Sequence, residues 1–386
     1  MNFIPKILSK QSLNSFRSFC LYPNSSKQLK FFSHKTNQSL FKLKVYYFSQ
    51  NNLREEEKGF CFSKESSLTD KPIEEAVIKT NNDSLVIDKT KRKVVFKDIM
   101  EITKFKLCFL NLSVSLSTYA FYSAHLTLWN LPFFAFGTLT AAMTTQVLNQ
   151  IMERIYDKNM KRTQMRPLPK QRMTTKEAYI LALGLWSASV SSYLITSPNS
   201  ILFTGSILSL YIFCYTPLKR INNLSMHVGA LVGALPALLG SYGVTGTINL
   251  SFEDPAFLLA SYIFCWQYPH FYGILYQNKE DYAKAGFKFI SNDDNKLKIA
   301  YGQLIIACIA ILGIVYKMRE RGIVKDYTLA AFSIFYIYNL IPAILFIRNP
   351  NKYAKIMRVR SYTPFLIILW SFIYASINKE TNEKIN

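Results

Sequence analysis

The chain has 386 residues, half of them hydrophobic, and a formal net charge of +22 at pH 7. That length allows two soluble domains, but charged residues are rare in many windows of about 20 residues, the length that crosses a bilayer as a helix. The basic excess lies largely in short connections between apolar segments, which favours membrane topology over nucleic-acid binding. The six cysteines form no C-x-x-C pair, which argues against a disulfide framework or a zinc site. We therefore expect an integral membrane protein in a lipid bilayer, with no nucleic-acid partner.

The N-terminal region has a different composition from the rest of the chain. Residues 1–54 contain nine Lys or Arg and no Asp or Glu, with many Ser, Asn and Phe. Such composition is typical of a mitochondrial transit peptide, and an ordinary basic tail is the alternative. Residues 55–97 are polar and indicate a linker. We predict a disordered N-terminal extension of these two parts, a membrane domain over residues 98–378 and a polar tail over residues 379–386.

Nine apolar segments predict an all-α polytopic bundle of about nine transmembrane helices. They cover residues 104–123, 129–152, 175–196, 200–217, 225–244, 255–277, 297–316, 326–347 and 361–378. Lys and Arg are concentrated in alternate connections, at residues 157–176, 217–224, 278–298 and 348–360. The positive-inside rule places the N-terminus and these connections on one side, which is the matrix side if the membrane is the mitochondrial inner membrane. The basic segment at residues 317–321 falls on the other side and is an exception.

A polar stripe stands at the end of the second apolar segment. Asn149, Glu153 and Asp157 occupy positions i, i+4 and i+8, which stacks their oxygen-bearing side chains on one helix face. Ionisable groups near membrane depth are costly and mark functional sites, and oxygen ligands suit Mg²⁺ shared with a diphosphate. The basic connection that follows holds Arg162 and Arg166, whose guanidinium groups bind phosphate oxygens bidentately. A solvated helix end with intrahelical ion pairs is the alternative interpretation.

The fourth span ends on the same predicted side with Tyr215-Thr-Pro-Leu-Lys-Arg220. Pro217 is expected to end or kink the helix and to present Lys219 and Arg220 to the interface. A positive-inside anchor accounts for these two cations equally well.

The sixth span ends with Trp266, Gln267, Pro269 and His270, ahead of an acidic and basic connection that contains Asp281. Together with neighbouring aromatic residues, they suit a pocket for a large flat ligand or an allylic cation. A hydrogen-bonded core histidine is the alternative for His270.

Ordered motifs in these segments resemble the UbiA-type intramembrane prenyltransferases, and within them the branch that farnesylates heme. The pattern N-x-x-x-E-x-x-x-D-x-x-M-x-R-T-x-x-R-P-L begins at Asn149, Y-T-P-L-K-R begins at Tyr215, W-Q-x-P-H-F begins at Trp266 and D-Y-x-x-A-G begins at Asp281. The resemblance covers about residues 98–375. The departures from the family pattern are Phe105 and Lys106 after Thr103-Lys104, Gln171 in place of Gly, Ser225-Met226-His227 in place of N-T-x, Ala237 in place of Pro, and Ser241 in place of Trp.

The resemblance implies a UbiA-like fold and a reaction. It implies Mg²⁺ on Asn149, Glu153 and Asp157, with Asp281 helping where many relatives have a second D-x-x-x-D. It assigns the neutralisation of the leaving diphosphate of farnesyl diphosphate to Arg162, Arg166, Lys219 and Arg220. It further implies heme b as the acceptor, near Trp266, Gln267 and His270, and heme O as the product, for heme A synthesis, cytochrome c oxidase and a partner heme A synthase. Two alternatives stay open: an aromatic quinone precursor as the acceptor, or a non-enzymatic transporter with the polar helix end as its gate.

Overall fold

The computed structural model describes residues 94–123, 129–289 and 294–385, with three short strands nearer the N-terminus. The strands are β1 (Phe19–Leu21), β2 (Leu43–Tyr47) and β3 (Phe60–Lys64), and they form an antiparallel sheet in the order β1-β3-β2. The chain divides into two compact units, residues 1–90 and 91–386. Most of the predicted targeting segment and linker lies outside the described residues, so both stay predictions.

The described residues of the second unit form helices joined by short connections. These are α1 (Phe96–Ile102), α2 (Phe105–Tyr122), α3 (Asn130–Asp157), α4 (Thr175–Thr196), α5 (Asn199–Ser209), α6 (Thr216–Ile221), α7 (Ser225–Thr245), α8 (Pro255–Gln277), α9 (Lys279–Lys284), α10 (Asp294–Glu320), α11 (Asp326–Arg348), α12 (Pro350–Arg360) and α13 (Tyr362–Ile385). The prediction of an all-α bundle for the membrane domain is confirmed.

Seven stretches of the described helices are long and apolar enough to cross a membrane. They are Asn130–Asp157, Thr175–Thr196, Asn199–Ile221, Ser225–Thr245, Lys298–Glu320, Asp326–Arg348 and Pro350–Asn378. The other two predicted spans are the helices α2 and α8, whose apolar runs are interrupted by polar side chains such as Asn111 and Gln267. The count of nine spans therefore stays a prediction.

The fourth predicted span continues past Pro217. The helix α5 runs into a π-helical turn over Leu210–Tyr215 and goes on as α6, which has Pro217 in its first turn. The backbone N–H and the hydroxyl of Thr216 both donate to the carbonyl oxygen of Tyr211, five residues earlier. Pro217 has no N–H to donate, and the π-helical turn just before it is where the regular α-helical bonding of the span is interrupted. Of the predicted end or kink at Pro217, the end is wrong, because the helix continues to Ile221; the kink stays a prediction.

Small residues allow α2 and α7 to pack closely. A Cβ atom at Gly240 would overlap the backbone oxygen of Ser115 and Oγ1 of Thr118. The hydroxyl groups of these two residues donate to carbonyl oxygens of α7. Ser115 donates to Pro236 and Thr118 donates to Ala237, each at 2.8 Å. Close approach and interhelical hydrogen bonds are the main source of helix association where lipid replaces water.

The connection after α3 is attached to α1. Arg172 pairs with Asp98 and, at 2.7 Å, with Glu101. Gln171, its neighbour, has a φ of 56°, in the left-handed region that glycine occupies without strain. This backbone conformation is one that Gly, the residue expected here from the family pattern, would adopt more readily than Gln.

The basic segment at residues 317–321 has acidic partners. Lys317 and Arg321 both pair with Glu253, in the connection between α7 and α8, and the Lys317 distance is 2.9 Å. Arg319 pairs with Asp326 at 2.8 Å. The exception to the positive-inside pattern is thus bound into an ionic cluster at one end of the bundle. The orientation in the membrane stays a prediction.

Candidate active site

The predicted polar stripe occupies the last turns of α3 and is buried. The exposed fractions are 0% for Asn149, 7% for Glu153 and 1% for Asp157. A buried charge is stable only when it is paired, so these side chains need partners inside the protein. The alternative of a solvated helix end does not describe them.

Each member of the stripe has a cationic partner from another part of the chain. The Nζ of Lys219 donates to Oε1 of Glu153 at 2.9 Å, and NH1 of Arg166 donates to Oδ2 of Asp157 at 2.8 Å. A third cation, Lys104, donates to Oδ1 of Asn149 at 3.3 Å. We call this arrangement the cation ladder, and its three rungs are Lys104–Asn149, Lys219–Glu153 and Arg166–Asp157.

Lys219 and Arg220 point in different directions. Lys219 is 8% exposed, and its ammonium lies 4.1 Å from the ring centroid of Tyr215. Arg220 is exposed and lies over the ring of Tyr156 at 4.4 Å. The prediction that both cations are presented to the interface is therefore wrong for Lys219, because Glu153 and the tyrosine ring draw it inward.

Asp281 lies against the connection that follows the stripe. Its Oδ2 accepts a hydrogen bond from the backbone N–H of Arg162 at 3.4 Å. The Arg162 guanidinium donates to the hydroxyl of Tyr282 at 3.2 Å and is otherwise exposed. The structure therefore brings the two predicted halves of the site together through Arg162, while the metal role of Asp281 stays a prediction.

One oxygen atom of Asp157 lies apart from its ion pair. Its Oδ1 is buried and has no hydrogen-bond partner within the described part of the chain, which is uncommon because buried polar atoms are nearly always paired. Among the residues that the structure describes, no three His, Cys, Asp or Glu side chains cluster as a metal site. Mg²⁺ often binds through one or two carboxylates and completes its shell with water and substrate phosphates. The two carboxylates and the amide of the stripe fit that shared mode of binding.

An apolar cavity of about 310 Å³ lies beside the stripe, within the size range of small-molecule sites, roughly 300–1,000 Å³. Gln146, one turn before Asn149, lines the cavity and accepts a hydrogen bond from Lys104 at 3.0 Å. Tyr211 and Tyr215 line it as well. The cavity therefore joins the polar stripe to an aromatic wall.

The same cavity is lined by Trp266, Gln267 and His270 from α8. His270 contacts the hydroxyl of Ser361 through Nδ1 at 3.2 Å and that of Tyr362 through Nε2 at 3.3 Å. Trp266 stacks on His270 at 4.9 Å and donates to the carbonyl oxygen of Ser361 at 2.7 Å. These contacts bind α8 to α13 and fix the cavity wall, and the predicted heme role of the three residues stays a prediction.

The sequence motifs assigned no role to two residues of this region, Lys104 and His227. Lys104 stands in the short connection before α2, and its signal is the Thr103-Lys104 pair that matches the family pattern. His227 contacts the hydroxyl of Tyr268 at 2.6 Å and the side-chain amide of Gln303 at 3.2 Å. His227 lines a second cavity of about 360 Å³. In the sequence it was noticed only because Ser225-Met226-His227 departs from the family pattern.

The chain belongs to the UbiA prenyltransferase family, whose sequence model matches residues 111–359. It is 33% identical over 213 residues to the protoheme IX farnesyltransferase of Cytophaga hutchinsonii, covering 54% of this chain and 73% of that protein. It is 38% identical over 156 residues to that of Sorangium cellulosum, covering 40% and 54%. It is also 33% identical over 198 residues to the mitochondrial protoheme IX farnesyltransferase of Arabidopsis thaliana, covering 50% and 43%. The chain thus spans about half the length of the last two relatives.

Solved structures share the fold. A structure from work on digeranylgeranylglyceryl phosphate synthase in membranes superposes on this chain with a TM-score of 0.57 at 16% identity, covering 73% of this chain and 98% of that chain. A UbiA homologue from Archaeoglobus fulgidus bound to DMAPP and Mg²⁺ gives 0.56 at 13% identity, covering 74% and 99%. With the seven apolar helices, these findings make the chain a multi-pass membrane prenyltransferase.

Proposed function

We propose that the protein transfers the farnesyl group of farnesyl diphosphate to a vinyl group of heme b and so makes heme O. The observation that carries the proposal is the cation ladder, a buried row of oxygen ligands with a cation at each rung, beside an apolar cavity. The names of its relatives in bacteria and plants support heme b as the acceptor. A transporter gate has no need of three cations matched rung by rung to one stripe.

The charges of the site suit a magnesium diphosphate. Glu153 and Asp157 are neutralised by Lys219 and Arg166. A bound magnesium diphosphate offers both groups new partners, with the carboxylates and Asn149 as metal ligands and the two cations on phosphate oxygens. Bound Mg²⁺ would supply further positive charge for the leaving diphosphate. Three further residues complete the proposed set. Asp281 helps to bind the metal, and Arg162 and Arg220 bind the diphosphate.

The apolar cavity suits the farnesyl chain and the reaction at its first carbon. The bond between this carbon and the diphosphate oxygen breaks, and the electron pair stays on the oxygen. The rings of Tyr211 and Tyr215 face the cavity and stabilise the allylic cation through their π electrons. The vinyl π electrons of heme b then form the new C–C bond, and water adds to the resulting cation and releases one proton.

The location of the reaction is part of the proposal. An acid-free basic N-terminus and a relative named as mitochondrial support the mitochondrial inner membrane. The basic connections, which include the one that carries Arg162 and Arg166, then face the matrix. Heme O made there supplies heme A synthesis for cytochrome c oxidase, with a heme A synthase as the protein that takes the product.

Product analysis tests the proposal. The purified full-length protein in lipid nanodiscs is incubated with heme b, farnesyl diphosphate and Mg²⁺, and the heme fraction is analysed by mass spectrometry. The mass of heme O is the expected result. Prenylation of a phenolic acid in place of heme would overturn the acceptor assignment, and the absence of any prenyl transfer would overturn the enzymatic function.

A substitution at His270 tests the predicted heme contact. His270→Ala removes the imidazole between Trp266 and Tyr362, so we expect weaker heme binding and at least a tenfold loss of turnover. Heme binding is followed by absorbance titration, and the thermal unfolding midpoint reports the lost packing separately. Normal heme affinity together with normal turnover would exclude a role for His270.

A further inference from the structure

Lys104 is held in an uncommon conformation that directs its side chain into the bundle. It has φ 48° and ψ 51°, in the left-handed region that side-chain-bearing residues rarely adopt. The amide of Gln150 donates to the carbonyl oxygens of Glu101 and Ile102, at 3.2 and 2.7 Å, and so fixes the end of α1 just before it. Strained backbone of this kind persists where the surrounding structure enforces it, and it is concentrated at functional sites.

The ammonium of Lys104 stands at the boundary between the cavity and the stripe. It donates to Gln146, which lines the cavity, and to Asn149, the first member of the stripe. Lys219 and Arg166 follow on the next two rungs, at Glu153 and Asp157. A ligand with an apolar chain in the cavity and a diphosphate along the ladder therefore has the junction of its two parts at the Lys104 rung.

The hydrogen-bonding capacity of Lys104 allows a ligand contact. An ammonium group has three N–H donors, and two of them are used by Gln146 and Asn149 within the part of the chain that the structure describes. Both of these acceptors are neutral amides, whereas Lys219 and Arg166 donate to the carboxylates of Glu153 and Asp157. Lys104 is therefore the cation of the ladder whose hydrogen-bond acceptors carry no charge.

We propose that Lys104 is a catalytic residue that stabilises the departing oxygen of the prenyl diphosphate, an inference that rests on the proposed function. Its ammonium donates a hydrogen bond to the oxygen that joins the diphosphate to the first prenyl carbon. As that C–O bond breaks, the electron pair and the new negative charge stay on the oxygen, and Lys104 keeps its proton. A positioned donor is most effective where charge develops in the transition state. Lys219 and Arg166 bind the remainder of the diphosphate.

The test measures cleavage of the donor apart from the acceptor. Lys104→Met removes the charge, Lys104→Gln keeps a donor toward Gln146 and Asn149, and Lys106→Met is the control because Lys106 is exposed two residues further on. Release of inorganic diphosphate from farnesyl diphosphate is followed without heme. We expect both Lys104 variants to lose about 100-fold or more in kcat, while Lys106→Met stays within about threefold of the wild type.

Two further measurements separate catalysis from binding and folding. The Kd of farnesyl S-thiolodiphosphate, a donor analogue that resists cleavage, should change less than about threefold in the Lys104 variants. The kcat loss should be larger for a donor with a methylene bisphosphonate leaving group than for its difluoromethylene analogue, because the poorer leaving group depends more on Lys104. Equal losses for both leaving groups, equal losses in binding and turnover, or unchanged turnover would overturn the proposal. Since no step uses heme, a failure to make heme O would leave this test intact.

Discussion

Asp157→Asn is the sharpest test of the metal role of the stripe. Asp157 is 1% exposed, its Oδ2 accepts from Arg166 at 2.8 Å, and its Oδ1 has no hydrogen-bond partner among the residues that the structure describes. An amide still accepts from Arg166, so the lost charge assistance costs about 1 kcal/mol, while the burial of a negative charge is avoided. The net change in unfolding free energy is therefore small. Loss of one group that stabilises transition-state charge costs about 3–4 kcal/mol, or 10²–10³-fold in rate.

The assay is diphosphate release and heme O formation as a function of Mg²⁺ concentration, with the thermal unfolding midpoint measured in parallel. We expect a loss of 10²–10³-fold in kcat/KM and a rise in the Mg²⁺ concentration needed for half-maximal rate. Asp98→Asn is the matched control, because Asp98 is a buried carboxylate that pairs with an arginine but lies outside the stripe. By the same reasoning it should change stability little, and it should keep activity within about threefold. Near-normal activity of Asp157→Asn at low Mg²⁺ would refute the metal role.

Two stability predictions follow from the backbone. Gly240→Ala should cost about 1–3 kcal/mol, because its Cβ would overlap α2, whereas Gly313→Ala should be neutral or stabilise α10 by about 1 kcal/mol, because it meets no atom within 4 Å. Equal unfolding midpoints for these two variants would contradict the packing argument. Gln171→Gly should relieve roughly 1–2 kcal/mol of left-handed strain and lose roughly 0.5–1 kcal/mol to the freer unfolded chain. A small rise in the unfolding midpoint is expected, and a clear fall would show that the side chain outweighs the strain.

Much of the site could be predicted because it is local in sequence. The spacing of Asn149, Glu153 and Asp157 determines their shared helix face whatever the rest of the chain does. The cations of the connections could be predicted for the same reason, but the carboxylate that each of them pairs with could not. Lys219 reaches Glu153 across 66 residues, and that choice of partner depends on how α6 packs against α3. Positive-inside reasoning alone would leave Lys219 at the interface.

Other features depend on backbone conformation, which hydropathy does not report. Lys104 is the first residue of the first apolar segment, and its own left-handed backbone conformation turns its side chain into the site. Pro217 was expected to end or kink its helix. The π-helical turn before it could not be predicted, because such a turn has no signal in apolar periodicity. The helices α2 and α8 both line the cavity. They carry polar side chains there, and these side chains make the two helices less apolar than the other spans.

The π-helical turn over Leu210–Tyr215 absorbs one residue more than an α-helical turn of the same rotation. Deletion of one residue from this turn would therefore restore regular α-helix and leave Lys219 close to its present direction. Deletion of one residue from the start of α6 would have a different effect, because an α-helix advances about 100° per residue. Lys219 would then turn away from Glu153 toward another face of the helix. The span thus tolerates a change in the number of its residues in the π-helical turn, but not between that turn and Lys219.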